Sequence, residues 1–273
     1  MENEILTVTG LFDSHAHYFD RRFEQETDGA DLILENEVFS KGIEGVINIG
    51  TNSKTNRLCI EQARKYDKMF VAVGIHPEDV ICTENIEEDI KDLYSLVDNI
   101  EKRKKNKIVA IGEIGLDYHY EGYQKQLQFE YFKRQLELAA ELDMPVVIHD
   151  RDAHGDCFDI VTEYKNVKGV FHSFSGSAEM AKELVKRDWY ISFSGVLTFK
   201  NARKTVEVAE CIPLEKILIE TDAPYLAPHP YRGRIKHSGL MYLTAQRLAE
   251  IKSTSIENVI SATSKNAKDL FRI

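Results

Sequence analysis

Cysteine is rare in this chain and never closely paired. Cys59, Cys82, Cys157 and Cys211 lie far apart with no CxxC spacing, which excludes a zinc knuckle and a disulfide framework. Scattered thiols fit a reducing compartment, so a cytoplasmic location is expected. Six prolines and 15 glycines gather into no linker, and nothing divides the chain. One domain over residues 1–273 is the expectation, since single α/β barrels run to about 250 residues. Long apolar runs are missing too. None approaches the roughly 18 residues of a spanning helix, and the opening Met1-Glu2-Asn3-Glu4 has no basic n-region. Neither a membrane partner nor export by a signal peptide is expected. Positive charge is also short, 35 Lys and Arg against 45 Asp and Glu, for a net charge of -10. That excludes a broad DNA-coating surface, which needs a basic excess. It leaves nucleic acid open as a substrate, because a recessed cation site binds a phosphodiester while the outer surface stays acidic.

Against those absences stands a regular rhythm. Apolar, β-branched-rich runs recur at residues 11–13, 45–49, 70–74, 108–112, 145–149, 169–171, 190–193 and 216–220. Their starts are spaced by about 21 to 38 residues, room for a loop, a helix and a return strand. Being almost wholly apolar, they resemble strands buried on both faces of a parallel sheet. Helical periodicity fills the gaps: Leu127, Tyr131, Leu138 and Leu142 share a face, and residues 178–187 and 241–251 read alike. Eight β-α units predict an α/β fold, a single (β/α)8 TIM barrel of the metal-dependent hydrolase type. An open doubly wound sheet is the alternative, but no Gly-rich phosphate loop follows the first run.

The ends of those runs carry the chemistry. Phe12-Asp13-Ser14-His15-Ala16-His17 closes the first, and Ile219-Glu220-Thr221-Asp222 the last; Glu113, His149 and His172 end three others. His15 and His17 are two apart, so at a strand end both imidazoles project to one side and reach one ion. Asp13 either hydrogen-bonds behind them or sits inside the barrel. All C-terminal strand ends of a barrel face one mouth. A closed structural zinc site needs four ligands; His15, His17, Glu113, His149, His172 and Asp222 make six, which suits two divalent metal ions with open positions. Mixed imidazole and carboxylate donors leave Mg, Mn and Zn all in play. Glu113, with two oxygens and a central strand, is placed to bridge the ions. His15, His17 and Asp222 would complete one site, and His149 with His172 the other. Asp222 is the candidate for orienting the attacking water and accepting its proton.

These segments also resemble a known family. Asp13-Ser14-His15-Ala16-His17, Gly74-Ile75-His76-Pro77, the stretch Gly112-Glu113-Ile114-Gly115-Leu116-Asp117-Tyr118, His149-Asp150-Arg151-Asp152-Ala153, His172-Ser173-Phe174-Ser175-Gly176 and Glu220-Thr221-Asp222-Ala223-Pro224-Tyr225-Leu226 are similar, in order, to motifs of the TatD metal-dependent deoxyribonucleases. The resemblance implies an amidohydrolase-type barrel, two divalent metals held by the same six residues, and hydrolysis of DNA, often as a 3′→5′ exonuclease. DNA is therefore the expected partner, with tRNA second, and the chain is expected to act as a monomer. One stretch departs: Lys236-His237-Ser238 stands where the family carries an Asn-Glu-Pro-like sequence, which bears on how the last loop packs and which substrate it admits.

Further candidates carry two readings each. His76 contacts a phosphate or caps its strand. Arg151 clamps a phosphate bidentately or pairs with Asp152. Ser175 donates to a phosphate oxygen or is an ordinary loop serine. Arg232, with Arg234, meets a nucleic-acid backbone or is solvated. Tyr118 and Tyr225 stack on bases or pack. The basic stretch 101–107 is a solvated helix end or a phosphate-tracking patch, the loop 222–238 is an ordered lip over the mouth, and Trp189 is barrel–helix packing. Two other function classes compete. One is ester or amide hydrolysis on the same barrel, such as D-aminoacyl-tRNA deacylation, since fold alone does not decide chemistry. The other is a non-catalytic binding module, against which the complete ligand set speaks.

Overall fold

Eight short apolar segments form the strands: β1 (Phe12–Ala16), β2 (Gly45–Ile49), β3 (Met69–Val73), β4 (Ile108–Asp117), β5 (Val146–Arg151), β6 (Gly169–Phe171), β7 (Tyr190–Phe193) and β8 (Ile217–Ile219). The structure is a computed structural model describing residues 8–82, without the Cys82 side chain, and 85–273. The opening residues 1–4 and the Cys82 thiol, both read above, lie outside what it describes. Every neighbouring pair of strands is parallel, in the order β1 to β8. The last gap is bridged by the chain just past β8. There the Asp222 N–H donates to the His15 carbonyl at 2.8 Å and the His17 N–H to the Ala223 carbonyl at 2.7 Å, and Ala16 pairs with Ala223. The expected barrel is what the chain forms: seven of its eight seams are parallel ladders, three of them with a slip in register.

Period-2 alternation sorts each strand into two apolar layers. Ile47, Ala72, Ala110, Val147, Val170 and Leu218 point inward and meet Ala267, Leu270 and Phe271 at the end of the helix Ile256–Phe271. Val46, Val71, Ile111, Val146, Ile191 and Ile217 point outward into the core shared with the surrounding helices. Trp189 is in that outer layer, edge-on to Phe171 with centroids 5.5 Å apart. The expected helices appear at Lys125–Glu141, Ala178–Lys186 and Tyr242–Lys252.

Glycine is required where the strands pinch together near the mouth. A Cβ at Gly115 (φ +147°) would sit 1.9 Å from the His149 carbonyl oxygen. That close approach pairs Gly115 with His149 in the β4–β5 register and carries β4 five residues past the expected end at 112.

The helix Ile100–Lys105 leads into the start of β4, so the basic stretch lies at the opposite end of the barrel from Glu113. That placement, with residues 101, 102, 104 and 105 exposed, fits the solvated helix end of the two readings. Cys59 and Cys157 are buried and Cys211 half-buried, all free thiols. Among the described residues no helix is long and apolar enough to cross a membrane.

Candidate metal centre

The ligand strands deliver their side chains through irregular backbone. Strand register slips between Asp13 and Ala16 in β1, and between Ile111 and Ile114 in β4. Irregularities of this kind re-aim side chains beside active sites, and His15 and Glu113 sit within them. Asp222 occupies the left-handed region at φ 58°, which costs a non-glycine residue about 1 to 3 kcal/mol. Its N–H bond to the His15 carbonyl holds it there.

All six expected ligands converge, and the Glu113 carboxylate divides them. Its Oε2 lies 3.3 Å from His15 Nε2 and 3.6 Å from His17 Nε2. Asp222 Oδ1 closes that side, 3.8 and 3.4 Å from the same two nitrogens, which are 3.0 Å apart. The other oxygen, Oε1, lies 2.7 Å from His149 Nδ1 and 2.8 Å from His172 Nε2, themselves 3.3 Å apart. His172 also stacks on His15, centroids 4.0 Å apart, so the two halves share a wall. The donor groups fall into three triads: His15, His17 and Asp222; His15, Glu113 and His172; His76, Glu113 and His149.

Contacts behind the rings decide which nitrogen faces inward. His17 Nδ1 donates to the Ile49 carbonyl at 2.8 Å, leaving the Nε2 lone pair at the centre. His149 Nε2 donates to Asp117 Oδ2 at 2.8 Å, leaving Nδ1. His172 Nδ1 lies 3.2 Å from Glu220 Oε1, leaving Nε2. These are the arrangements that hold metal-ligating imidazoles. His76 differs. Its Nδ1 accepts the Glu78 N–H at 3.1 Å, so its proton is on Nε2, 3.6 Å from Glu113 Oε1. His76 therefore presents an N–H to the centre, where His17, His149 and His172 turn inward a nitrogen that binds a cation once it is deprotonated.

The electrostatics agree with a cation site. Burial alone would push Glu113 up, but His172, His15, His76 and His149 hold it well below the ordinary carboxylate range. Asp222 is likewise lowered, against burial, by the hydrogen bond to His17 and by the charge of His15 and His172. Burial lowers His15, and lowers His76 to about 3. His17 and His172 are raised, their carboxylate neighbours overcoming burial. Two carboxylates and several imidazole lone pairs face one another across less than a hydrogen-bond length or two. Such a donor set fits divalent cations of the borderline or hard class.

The supporting acids escaped the sequence reading. Asp117 ends the same strand as Glu113, and Glu220 stands two residues before Asp222; both are fully buried. A second acid near each expected ligand was the available signal. Asp13 is fully buried behind the ligands and is a hub: it accepts from the Thr221 N–H at 2.9 Å, the Thr221 hydroxyl at 2.5 Å, the Ser238 hydroxyl at 2.7 Å and the His15 N–H at 3.2 Å. Burial pushes its carboxyl up to about 6 against those bonds. The departing stretch explains part of that hub. Ser238 docks on Asp13, and Tyr18 OH lies 2.7 Å from the Ser238 hydroxyl. Lys236 is fully buried, with Nζ 3.2 Å from the Leu226 carbonyl. The loop 222–238 is thus pinned to β1.

Other candidates are more peripheral. Arg151 forms no pair with Asp152, which instead contacts His119 at 2.9 Å; the guanidinium lies over Tyr120. Ser175 is exposed in the loop after β6, while Ser173 reaches Glu220 Oε1 through its N–H at 2.9 Å. Arg232 is exposed and lies over Phe199. Tyr118 is committed to Asp156 and to stacking on Tyr123.

Barrel and histidine–carboxylate centre together define a metal-dependent hydrolase. The profile of the TatD related DNases matches residues 12–272, and the chain belongs to the TatD family. It is 40% identical over 265 residues to YabD of Bacillus subtilis (strain 168), an uncharacterized metal-dependent hydrolase, covering 96% of this chain and 99% of that one. Identity to the uncharacterized metal-dependent hydrolase YcfH of Escherichia coli (strain K12) is 32%, over 96% of both chains. Among solved structures, the TatD homologue YJJV from Escherichia coli k12 superposes with a TM-score of 0.87 at 25% identity, covering 98% of this chain and 99% of that one.

Proposed function

We propose that the centre holds two divalent cations, one on each side of Glu113, and hydrolyses DNA phosphodiester bonds, releasing nucleotides from a 3′ end. The observation that carries the reading is the split carboxylate: Oε2 faces His15 and His17, Oε1 faces His149 and His172. Bound there, the cations supply Lewis acidity and an acidified water. The chain's residues do the rest. Asp222, at the open end of the His15–His17 side, orients the attacking water and takes its proton on Oδ1. His76 donates a hydrogen bond from its Nε2–H to a non-bridging phosphate oxygen and keeps its proton. Asp117 and Glu220 keep His149 and His172 turned inward. Arg151, Arg232 and Ser175 meet the phosphates on either side. The protein acts as a cytoplasmic monomer in this reading, which the free thiols support.

The test is a metal-replete panel with Mg, Mn and Zn over single-stranded DNA, RNA and aminoacyl-tRNA, with Asp222→Asn as control. Nucleotide release from DNA, absent in the variant, supports the reading. Hydrolysis of aminoacyl-tRNA with intact DNA would replace it with ester hydrolysis on the same barrel. No hydrolysis and no metal uptake would point to a binding module.

A further inference from the structure

Three arginines at the mouth lie over aromatic rings. The guanidinium of Arg151, the last residue of β5, is 5.2 Å from the Tyr120 centroid, with Nη1 3.4 Å from the Tyr120 hydroxyl. That of Arg22, in the β1–β2 connection, is 5.4 Å from Tyr225, which follows β8 and donates its hydroxyl to Asp20 Oδ2 at 2.6 Å. Arg232 is 4.6 Å from Phe199. Tyr120 and Tyr225 remain 56% and 41% exposed, so each keeps an open surface.

Their placement is set by topology. Tyr120 and Arg151 belong to the gap between β4 and β5, Tyr225 and Arg22 to the gap between β8 and β1. In a ring of eight strands in sequence order, those two gaps are diametrically opposite. The Glu113 centre opens between them. Each platform pairs a ring that a base can cover with an arginine, but the two differ. Arg22 is also held by Glu26, Nε 2.7 Å from Oε1, whereas the Arg151 guanidinium, among the described residues, hydrogen-bonds only Tyr120 and is the freer cation for an adjoining phosphate. On a chain of net charge -10, cations placed this way are local invitations to an anion.

We infer that the two Arg–Tyr pairs form a two-sided platform for single-stranded DNA. The strand crosses the mouth with its scissile phosphate at the centre, one flanking base on Tyr120 and the other on Tyr225. This rests on the reading of the centre as a phosphodiesterase. Stacking on an aromatic face tolerates any base, so the platform selects an unpaired strand and not a sequence. A duplex, whose bases already stack on each other, does not offer those faces.

The experiment measures fluorescence anisotropy of a labelled phosphorothioate oligothymidylate, which resists cleavage, in magnesium. Nucleotide release from ordinary oligothymidylate and turnover of methyl p-nitrophenyl phosphate, which has no base, are followed in parallel. Tyr120→Ala and Tyr225→Ala are each expected to weaken binding at least about fivefold, and more together. Tyr120→Phe and Tyr225→Phe should bind within about twofold of the parent, since the ring face is kept, and the base-free diester should turn over unchanged in all variants. Unchanged affinity in the double alanine variant, or no binding by the parent protein, overturns the platform. Unchanged affinity with intact nucleotide release overturns the platform alone and leaves the nuclease standing. Tyrosine-dependent binding without nucleotide release supports the platform and removes the nuclease.

Discussion

Asp117 accepts a hydrogen bond from His149 Nε2 at 2.8 Å, and this contact turns the ring so that Nδ1 faces Glu113 at 2.7 Å. The carboxylate also accepts the His119 N–H at 2.8 Å. An amide cannot accept from both donors with both of its atoms. Asp117→Asn should therefore weaken metal binding about 10- to 100-fold, with little change in melting of the metal-free protein. Isothermal titration with Zn or Mn checks it. Unchanged affinity would mean that His149 needs no support.

Proton linkage gives a second prediction. Burial would push His149 down, yet the hydrogen bonds to Asp117 and Glu113 raise it to about 9 from the ordinary 6.5. A group raised in the folded state contributes stability that is complete below its unfolded value and is lost as pH climbs through the folded one. Metal-free protein should thus lose stability between pH 6.5 and about 9, by on the order of 3 kcal/mol from this residue. Metal binding must expel the same proton, so affinity should rise with pH over that window. Calorimetry in buffers of different ionisation enthalpy reads the released protons directly, and a pH-independent enthalpy and affinity would contradict the account.

Asp222→Asn should separate binding from turnover. The amide keeps one oxygen toward His15 and His17 but loses the basic site. Turnover is expected to fall by at least about 100-fold, with metal content nearly that of the parent by elemental analysis. Full activity would remove Asp222 from the proton transfer.

Gly115→Ala tests the pinch between β4 and β5. The new Cβ would stand 1.9 Å from the His149 carbonyl, at a φ that alanine rarely adopts. Destabilisation of about 2 to 4 kcal/mol is expected, measurable by denaturant unfolding. A variant as stable as the parent would show that β4 is free to move away.

Much of this architecture is legible in the sequence because a parallel barrel writes itself as a rhythm. Apolar runs end at the mouth, and side chains such as His15, Glu113 and His172 stand out against them. What stays hidden is what depends on reach across the barrel. Asp117 and Glu220 look like ordinary strand-end acids until their partners, 32 and 48 residues away, are seen. Arg151 has an acid beside it in sequence, but the backbone of Asp152, in the left-handed region, accompanies a pairing with His119 instead. The inward nitrogens of His17, His149 and His172 are likewise set by distant acceptors, and His76 is set apart by the backbone N–H of Glu78, which no spacing in the sequence announces. The Lys236-His237-Ser238 departure reads as a gap in a motif, whereas in the fold Ser238 satisfies Asp13.

The central claim is that Glu113 stands between two cations. Titrating metal-free protein with Mn(II) and recording its paramagnetic resonance spectrum tests it most directly. The account predicts two equivalents per chain and the spectrum of an exchange-coupled pair, with the coupling lost in Glu113→Gln. Saturation at one equivalent, or two ions that remain magnetically independent, would contradict it.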